Sequence, residues 1–174
     1  MAAGGSPWSG PVTGRPGISP THSFGDLPFL SGRWADLIED SVADSKNLTG
    51  VRVMVIDDSN TIRRSAEIFL MQAGCQVILA DNGFDALAKI ADHQPDLIFV
   101  DIMMPRLDGY QTCALIKKSS KHQATPVIML SSKDSLFDRA RGRMVGSDEY
   151  LTKPFTKESL LRAVDSHLAQ RSPA

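Results

Sequence analysis

Cysteine and histidine are scarce in this chain, and the shortage excludes several kinds of chemistry. Only Cys75 and Cys113 occur in 174 residues, far apart and each in apolar surroundings. A redox couple or a thiolate metal site needs a cysteine or histidine partner nearby, so both are expected to be buried, reduced thiols. His22, His93, His122 and His167 show no metal-ligand spacing and read as surface residues. A P-loop nucleotide site needs G-x-x-x-x-G-K-[ST], a dinucleotide site G-x-G-x-x-G after a strand, and a hydrolase elbow G-x-S-x-G; none is present. A formal net charge of −1 gives no general pull toward nucleic acid or an anionic membrane. No apolar run approaches the roughly 20 residues that cross a bilayer. The start, Met1-Ala2-Ala3-Gly4-Gly5, lacks the charged and apolar regions of a secretion signal. The expected location is the cytoplasm.

What is present divides near residue 50. The first fifty residues hold eight of the 13 glycines and five of the 10 prolines, and no periodicity appears through Leu27. Such a segment buries too little apolar surface to offset its ordering entropy, so residues 1–50 are expected to be a mostly disordered extension. One stretch departs from this. Trp34, Leu37, Ile38 and Val42 recur at helical spacing among Asp36, Glu39 and Asp40. It reads as a short helix near 34–43, either packed loosely on the domain or docking a partner protein.

From Val51 the pattern is regular. Strands are expected at Arg52–Ile56, Gln76–Ala80, Leu97–Val100, Pro126–Leu130 and Glu149–Leu151. Helical patterns fill the intervals at Thr61–Ala73, Phe84–His93, Tyr110–Lys118, Ser135–Met144 and Lys157–Ala169. Asn82 and Thr156 suit N-caps, and Asp108 with Gln111 makes a variant capping box. Five strand–helix alternations imply an α/β domain over 51–169, with a parallel sheet covered on both faces. Only a tail, Gln170–Ala174, follows, so no output domain is expected after the last helix.

The apolar runs end in acids. Val53-Met54-Val55-Ile56 leads into Asp57-Asp58, and Leu97-Ile98-Phe99-Val100 into Asp101. Ligands of open α/β sheets sit beyond the strand carboxyl ends, so two such strands bring three carboxylates together. Clustered like charges call for a cation, and an all-oxygen site suits Mg²⁺. The fourth run ends at Ser131-Ser132 and the fifth at Thr152-Lys153-Pro154-Phe155. Acids, hydroxyl and lysine on one rim suit phosphoryl transfer to a carboxylate.

These residues carry a resemblance. Val55-Ile56-Asp57-Asp58-Ser59, Val100-Asp101-Ile102-Met103-Met104-Pro105 with Asp108-Gly109, Leu130-Ser131-Ser132 and Tyr150-Leu151-Thr152-Lys153-Pro154-Phe155 resemble the motifs of CheY-like receiver domains, the phospho-accepting domains of two-component response regulators. The resemblance covers about two-thirds of the chain. It implies a (βα)5 doubly wound, flavodoxin-like fold with a five-stranded parallel sheet in the order 2-1-3-4-5.

It also implies roles. Asp101 would accept the phosphoryl group. Asp58, Asp101 and the backbone carbonyl of Met103 would ligate Mg²⁺, and Asp57 would hold it through water. Ser131 would bond a phosphoryl oxygen, and Lys153 would pair with Asp101 or its phosphate. The Lys153–Pro154 bond would be cis. Tyr150 would be the switch aromatic that moves as Ser131 shifts; the alternative is an edge-strand surface tyrosine. The output surface would draw on Ser135–Met144, Tyr150 and Lys157–Leu168. Arg139, Arg141 and Arg143 on it fit a solvated helix face, or could steer an acidic partner. Met103 and Lys133, each two residues past a site residue, would flank the attacking water and tune phosphoryl lifetime.

Ile98–Lys117, Ser131-Ser132-Lys133-Asp134 and Gly146-Ser147-Asp148 further resemble stand-alone regulators of type IV pilus chemosensory systems, which control twitching motility. The implied partners are a histidine kinase or phosphotransfer domain and a downstream pilus-motor or signalling protein. The implied assembly is a monomer or a weak, phosphorylation-dependent dimer. Such a module catalyses only its own phosphorylation and dephosphorylation. A receiver-like scaffold is disfavoured by the complete set of acids, hydroxyl and lysine. An aspartyl phosphatase is disfavoured because Met103 stands where a general acid is wanted.

Overall fold

A computed structural model describes residues 48–132 and 136–169 of the chain. The helix expected near 34–43, Lys133, and the tail 170–174 lie outside the described residues. The order of elements is β1 Arg52–Ile56, α1 Asn60–Gln72, β2 Gln76–Ala80, α2 Gly83–His93, β3 Leu97–Asp101, α3 Gly109–Lys118, β4 Val127–Ser131, α4 Leu136–Met144, β5 Glu149–Thr152 and α5 Lys157–Ala169. All strand pairs are parallel and the sheet order is β2-β1-β3-β4-β5. This is the doubly wound fold that the strand–helix alternation and the receiver resemblance imply.

Central position explains the unbroken apolar runs. β3 and β4 are buried along their whole length, because strands inside a parallel sheet meet helices on both faces. The edge strands β2 and β5 are only partly covered. Alternation then splits the core in two. Met54, Ile56, Ile98, Val100, Val127 and Met129 face α2 and α3, where they meet Ile90, Tyr110, Cys113 and Ile116. Val53, Val55, Leu97, Phe99, Ile128 and Leu130 face α1 and α5, where they meet Leu70, Leu160 and Val164. Leu48 joins the second cluster, so packing begins before Val51.

Boundaries differ from the sequence pattern by a residue or so, with local causes. β4 starts at Val127 because Pro126 has no N–H for the ladder, although its carbonyl accepts from Ile98. β3, β4 and β5 each run one residue further, so Asp101, Ser131 and Thr152 are strand residues. Asn82 caps α2 through the Asp85 N–H at 2.9 Å. Asp108 and Gln111 close a reciprocal capping box on α3. Thr156 and Ser159 exchange the same pair of bonds at the start of α5. The cap on α1, Ser59, carried no comparable pattern to its first turn.

One histidine departs from a plain surface position. His167 is largely covered, with Nε2 2.6 Å from Glu149 Oε2. Its spacing from Leu160, Ala163 and Val164 puts it on the flank of the buried stripe of α5, so a surface assignment was wrong for this histidine. Cys75 and Cys113 are free and buried, and burial pushes both thiols up to about 11. No helix among the described residues is long and apolar enough to cross a membrane.

Gly109 is required by close approach. A Cβ there would stand 2.3 Å from the Asp101 carbonyl oxygen and 2.8 Å from Ile102 Cα, both backbone atoms. α3 is thus seated directly on the end of β3, with Gly109 N–H donating to Ile102 at 3.0 Å. Gly109→Ala should lower stability by about 1–3 kcal/mol. In a urea titration the midpoint drops while the slope holds; a midpoint equal to wild type would show that the backbone yields at no cost.

Candidate functional site

The register brings the acids together. Ile56 pairs with Val100, so the next residues on the two strands, Asp57 and Asp101, lie side by side. One carboxylate oxygen each from Asp57, Asp58 and Asp101 lies within 4.8 Å of the others. Asp57 is fully buried, Asp101 nearly so, and Asp58 is exposed. The same alternation that sends Val55 and Phe99 toward α1 and α5 also sends Asp57 and Asp101 there.

Lys153 completes the cluster from one residue past β5. Its Nζ lies 2.5 Å from Asp57 Oδ2 and 2.9 Å from Asp101 Oδ1, with its side chain only 13% exposed. The backbone N–H of Lys153 donates to the Ser131 carbonyl at 2.6 Å, which fixes the root of the side chain on β4. The Lys153–Pro154 peptide bond is cis. Asp57 is held at both oxygens, since its Oδ1 accepts from the Ser59 N–H at 2.8 Å. Arg63 of α1 donates to the Asp57 carbonyl at 2.5 Å and so pins the end of β1. Ser59 stands in the first motif without a stated role, and nothing in the sequence pattern singled out Arg63. Only the β1–α1 turn sets them against Asp57.

Burial raises the pKa of Asp101; the Lys153 hydrogen bond opposes this, the charge of Asp57 adds to it, and the balance is upward. Burial works against the charge on Lys153, but its bonds to Asp57 and Asp101 and their two charges outweigh that, and its pKa is raised. The arrangement is one cation shared between two buried carboxylates. It leaves an excess negative charge that a second cation would offset. The donor set is oxygen only, and its span accommodates a small hard cation with oxygens at about 2.0–2.1 Å from the metal. Asp57, Asp58 and Asp101 therefore fit a divalent ion such as Mg²⁺.

The other expected site residues fall at the same rim. Met103 is 72% exposed, and its N–H lies 3.4 Å from Asp101 Oδ1. Ser131 is buried at the end of β4. It is on the face opposite to Asp101, because Val127, Met129 and Ser131 alternate toward α3. Tyr150 is partly buried and packs on the α2/α3 core cluster, with the Arg139 guanidinium 5.7 Å from its ring centroid. It is not a plain edge-strand surface tyrosine. Arg139, Arg141 and Arg143 are all exposed on α4.

Removing the shared cation tests this electrostatic account. Lys153→Met leaves two carboxylates facing each other and should cost about 2–4 kcal/mol of stability without divalent ions. Added Mg²⁺ should then raise the melting temperature of the variant more than that of wild type. Equal shifts for the two proteins would mean that Lys153 does not balance these charges.

Comparison with known proteins covers the same stretch of the chain. A family model described as "Response regulator receiver domain" matches residues 53–165. Protein PilG of Pseudomonas aeruginosa is 68% identical over 124 residues, covering 71% of this chain and 92% of PilG. Response regulator MprA of Mycobacterium tuberculosis is 37% identical over 123 residues, 71% of this chain; the chain spans about half, 53%, of that relative. Chemotaxis protein CheY4 of Vibrio cholerae superposes with a TM-score of 0.66 at 32% identity, covering 68% of this chain and 98% of CheY4. The receiver domain of the Francisella response regulator 1452 gives 0.65 at 33%, covering 71% and 100%.

Proposed function

Since the chain belongs to the response regulator receiver family, we propose that it is a phosphorylation switch whose phosphoryl acceptor is Asp101. The donor is a phosphohistidine on a histidine kinase or phosphotransfer domain. A carboxylate oxygen of Asp101 attacks phosphorus, the P–N bond breaks, and the imidazole leaves with the bonding pair and takes up a proton. Lys153, already within 2.9 Å of Asp101, neutralises part of the charge carried by the phosphoryl oxygens. Mg²⁺ held by Asp58, Asp101 and the Met103 carbonyl, and through water by Asp57, would supply further charge stabilisation. Ser131 bonds a phosphoryl oxygen of the product, and Tyr150 follows it inward. The chain turns over no external substrate.

The observation that supports this reading most is the buried Asp57–Lys153–Asp101 triad with Asp58 beside it. A scaffold that never met phosphate would have no use for three clustered acids and a lysine at this cost in desolvation. Met103, an apolar and exposed residue two positions beyond Asp101, speaks against an aspartyl phosphatase. The output surface is α4, β5 and α5, and its exposed arginines suit an acidic partner. The 68% identity to PilG, with the resemblance to type IV pilus regulators, supports control of twitching motility in the cytoplasm. No contact with nucleic acid is involved.

Incubation with acetyl phosphate and Mg²⁺ should load one phosphoryl group per chain, and Asp101→Ala should load none. A label that survives in Asp101→Ala would overturn the assignment. Met103 also shields the path of the attacking water, so Met103→Asn should shorten the phosphoryl half-life several-fold. An unchanged half-life would remove Met103 from the mechanism.

A further inference from the structure

Tyr110 is a second tyrosine near the acids, buried where Tyr150 is only partly so. It occupies the first turn of α3, immediately after the glycine seated on the Asp101 carbonyl. It is 4% exposed, and its ring lies in the cluster with Ile102, Met104, Cys113 and Met129, against which Tyr150 packs. A buried phenol needs a partner for its O–H. Here the hydroxyl donates to Asp138 Oδ1 at 3.1 Å, with the carbonyl of the same residue at 3.4 Å. Burial, then the Asp138 carboxylate, push the phenol up to about 12, so it remains a donor at neutral pH. One turn further along α4, the Arg141 guanidinium lies 4.4 Å from the ring centroid. One tyrosine of α3 is therefore gripped by α4 at its tip and over its face.

The two sides of this grip are tied to different strands. Tyr110 is keyed to β3 through Gly109, whose missing Cβ leaves no slack against Asp101. Asp138 is in the first turn of α4, which begins five residues after Ser131 at the end of β4. Gly109 and Tyr110 thus follow β3 along the chain, and Asp138 follows β4. The alternation of β4 and β5 puts Ser131 and Tyr150 on the face of the sheet that Tyr110 and α3 cover.

We propose that Tyr110 is a positioning residue of the switch: with Asp138 and Arg141 it clasps α4 to α3 in the unphosphorylated state, and the clasp must open for α4 to move. This rests on the reading of Asp101 as phosphoryl acceptor. A contact made in one state only holds the population there by its own free energy. Loosening the clasp thus favours the arrangement that takes phosphate, and a larger fraction of chains is then competent to take it up.

The test compares wild type, Tyr110→Phe and Arg141→Gln. Tyr110→Phe keeps the ring and its packing while deleting the hydroxyl, and Arg141→Gln changes an exposed residue and leaves the core untouched. Amide hydrogen exchange in α4 should quicken about tenfold in Tyr110→Phe, and less in Arg141→Gln, with β1 and β3 unchanged. Phosphate uptake from subsaturating acetyl phosphate should rise about threefold in Tyr110→Phe. A merely structural role would loosen α4 and leave uptake equal or slower, and that result overturns the proposal. So does unchanged exchange in α4. A wild-type protein that takes up no phosphate overturns the receiver reading instead, and the clasp is then judged by α4 exchange alone.

Discussion

Asp57 and Asp101 lie side by side at the ends of adjacent buried strands, and the ammonium of Lys153 holds both, at 2.5 and 2.9 Å. Two carboxylates out of water at this separation cannot both stay ionised without a cation. Lys153 supplies it, and the rest of the site is arranged to keep it there. The Ser131 carbonyl receives the Lys153 N–H, Ser59 holds the second oxygen of Asp57, and Arg63 closes the end of β1. The pair of acids remains under-compensated by a single ammonium. This is the physical reason that the site suits a divalent ion.

The alternation of a pleated strand puts the acids and Ser131 with Tyr150 on different faces of the sheet. Asp57 and Asp101 point with Val55 and Phe99 toward α1 and α5, while Ser131 and Tyr150 belong to the face that meets α3. At the end of β3 the two faces are joined by α3, which is seated on the Asp101 backbone. Gly109 makes that seating tight, because α3 abuts the Asp101 backbone with no side chain between. Tyr110 extends the seating to α4. The end that carries the acids is polar and charged, whereas the α3 face is aromatic and packed.

Much of this was legible beforehand, and the reasons differ by residue. The runs ending in Asp57-Asp58 and Asp101 could be read because a strand buried on both faces tolerates no polar residue until it ends. The caps at Asn82 and Asp108 could be read because a short polar side chain ahead of an apolar period has few other uses. Boundaries slipped at β4, where one proline N–H was lacking. His167 was misjudged because polarity alone does not say on which flank of a helix a residue falls. Tyr110 and Asp138 escaped notice because they meet across 28 residues of chain, and Arg63 because its bond to the Asp57 carbonyl depends on the β1–α1 turn and not on a residue pattern.

By itself the sequence determined the order of strands and helices, the chemical inventory at the strand ends and the family of the chain. Those properties follow from local patterns: apolar runs, caps and motifs whose residues are near neighbours. The tertiary structure alone decided which groups touch. That Lys153 bridges Asp57 across 96 residues, that Asp58 is exposed while Asp57 is buried, and that Tyr110 is clasped by Asp138 and Arg141 all depend on parallel register and helix seating. Register and seating arise from packing summed over the whole sheet, and no single stretch of the chain carries that information.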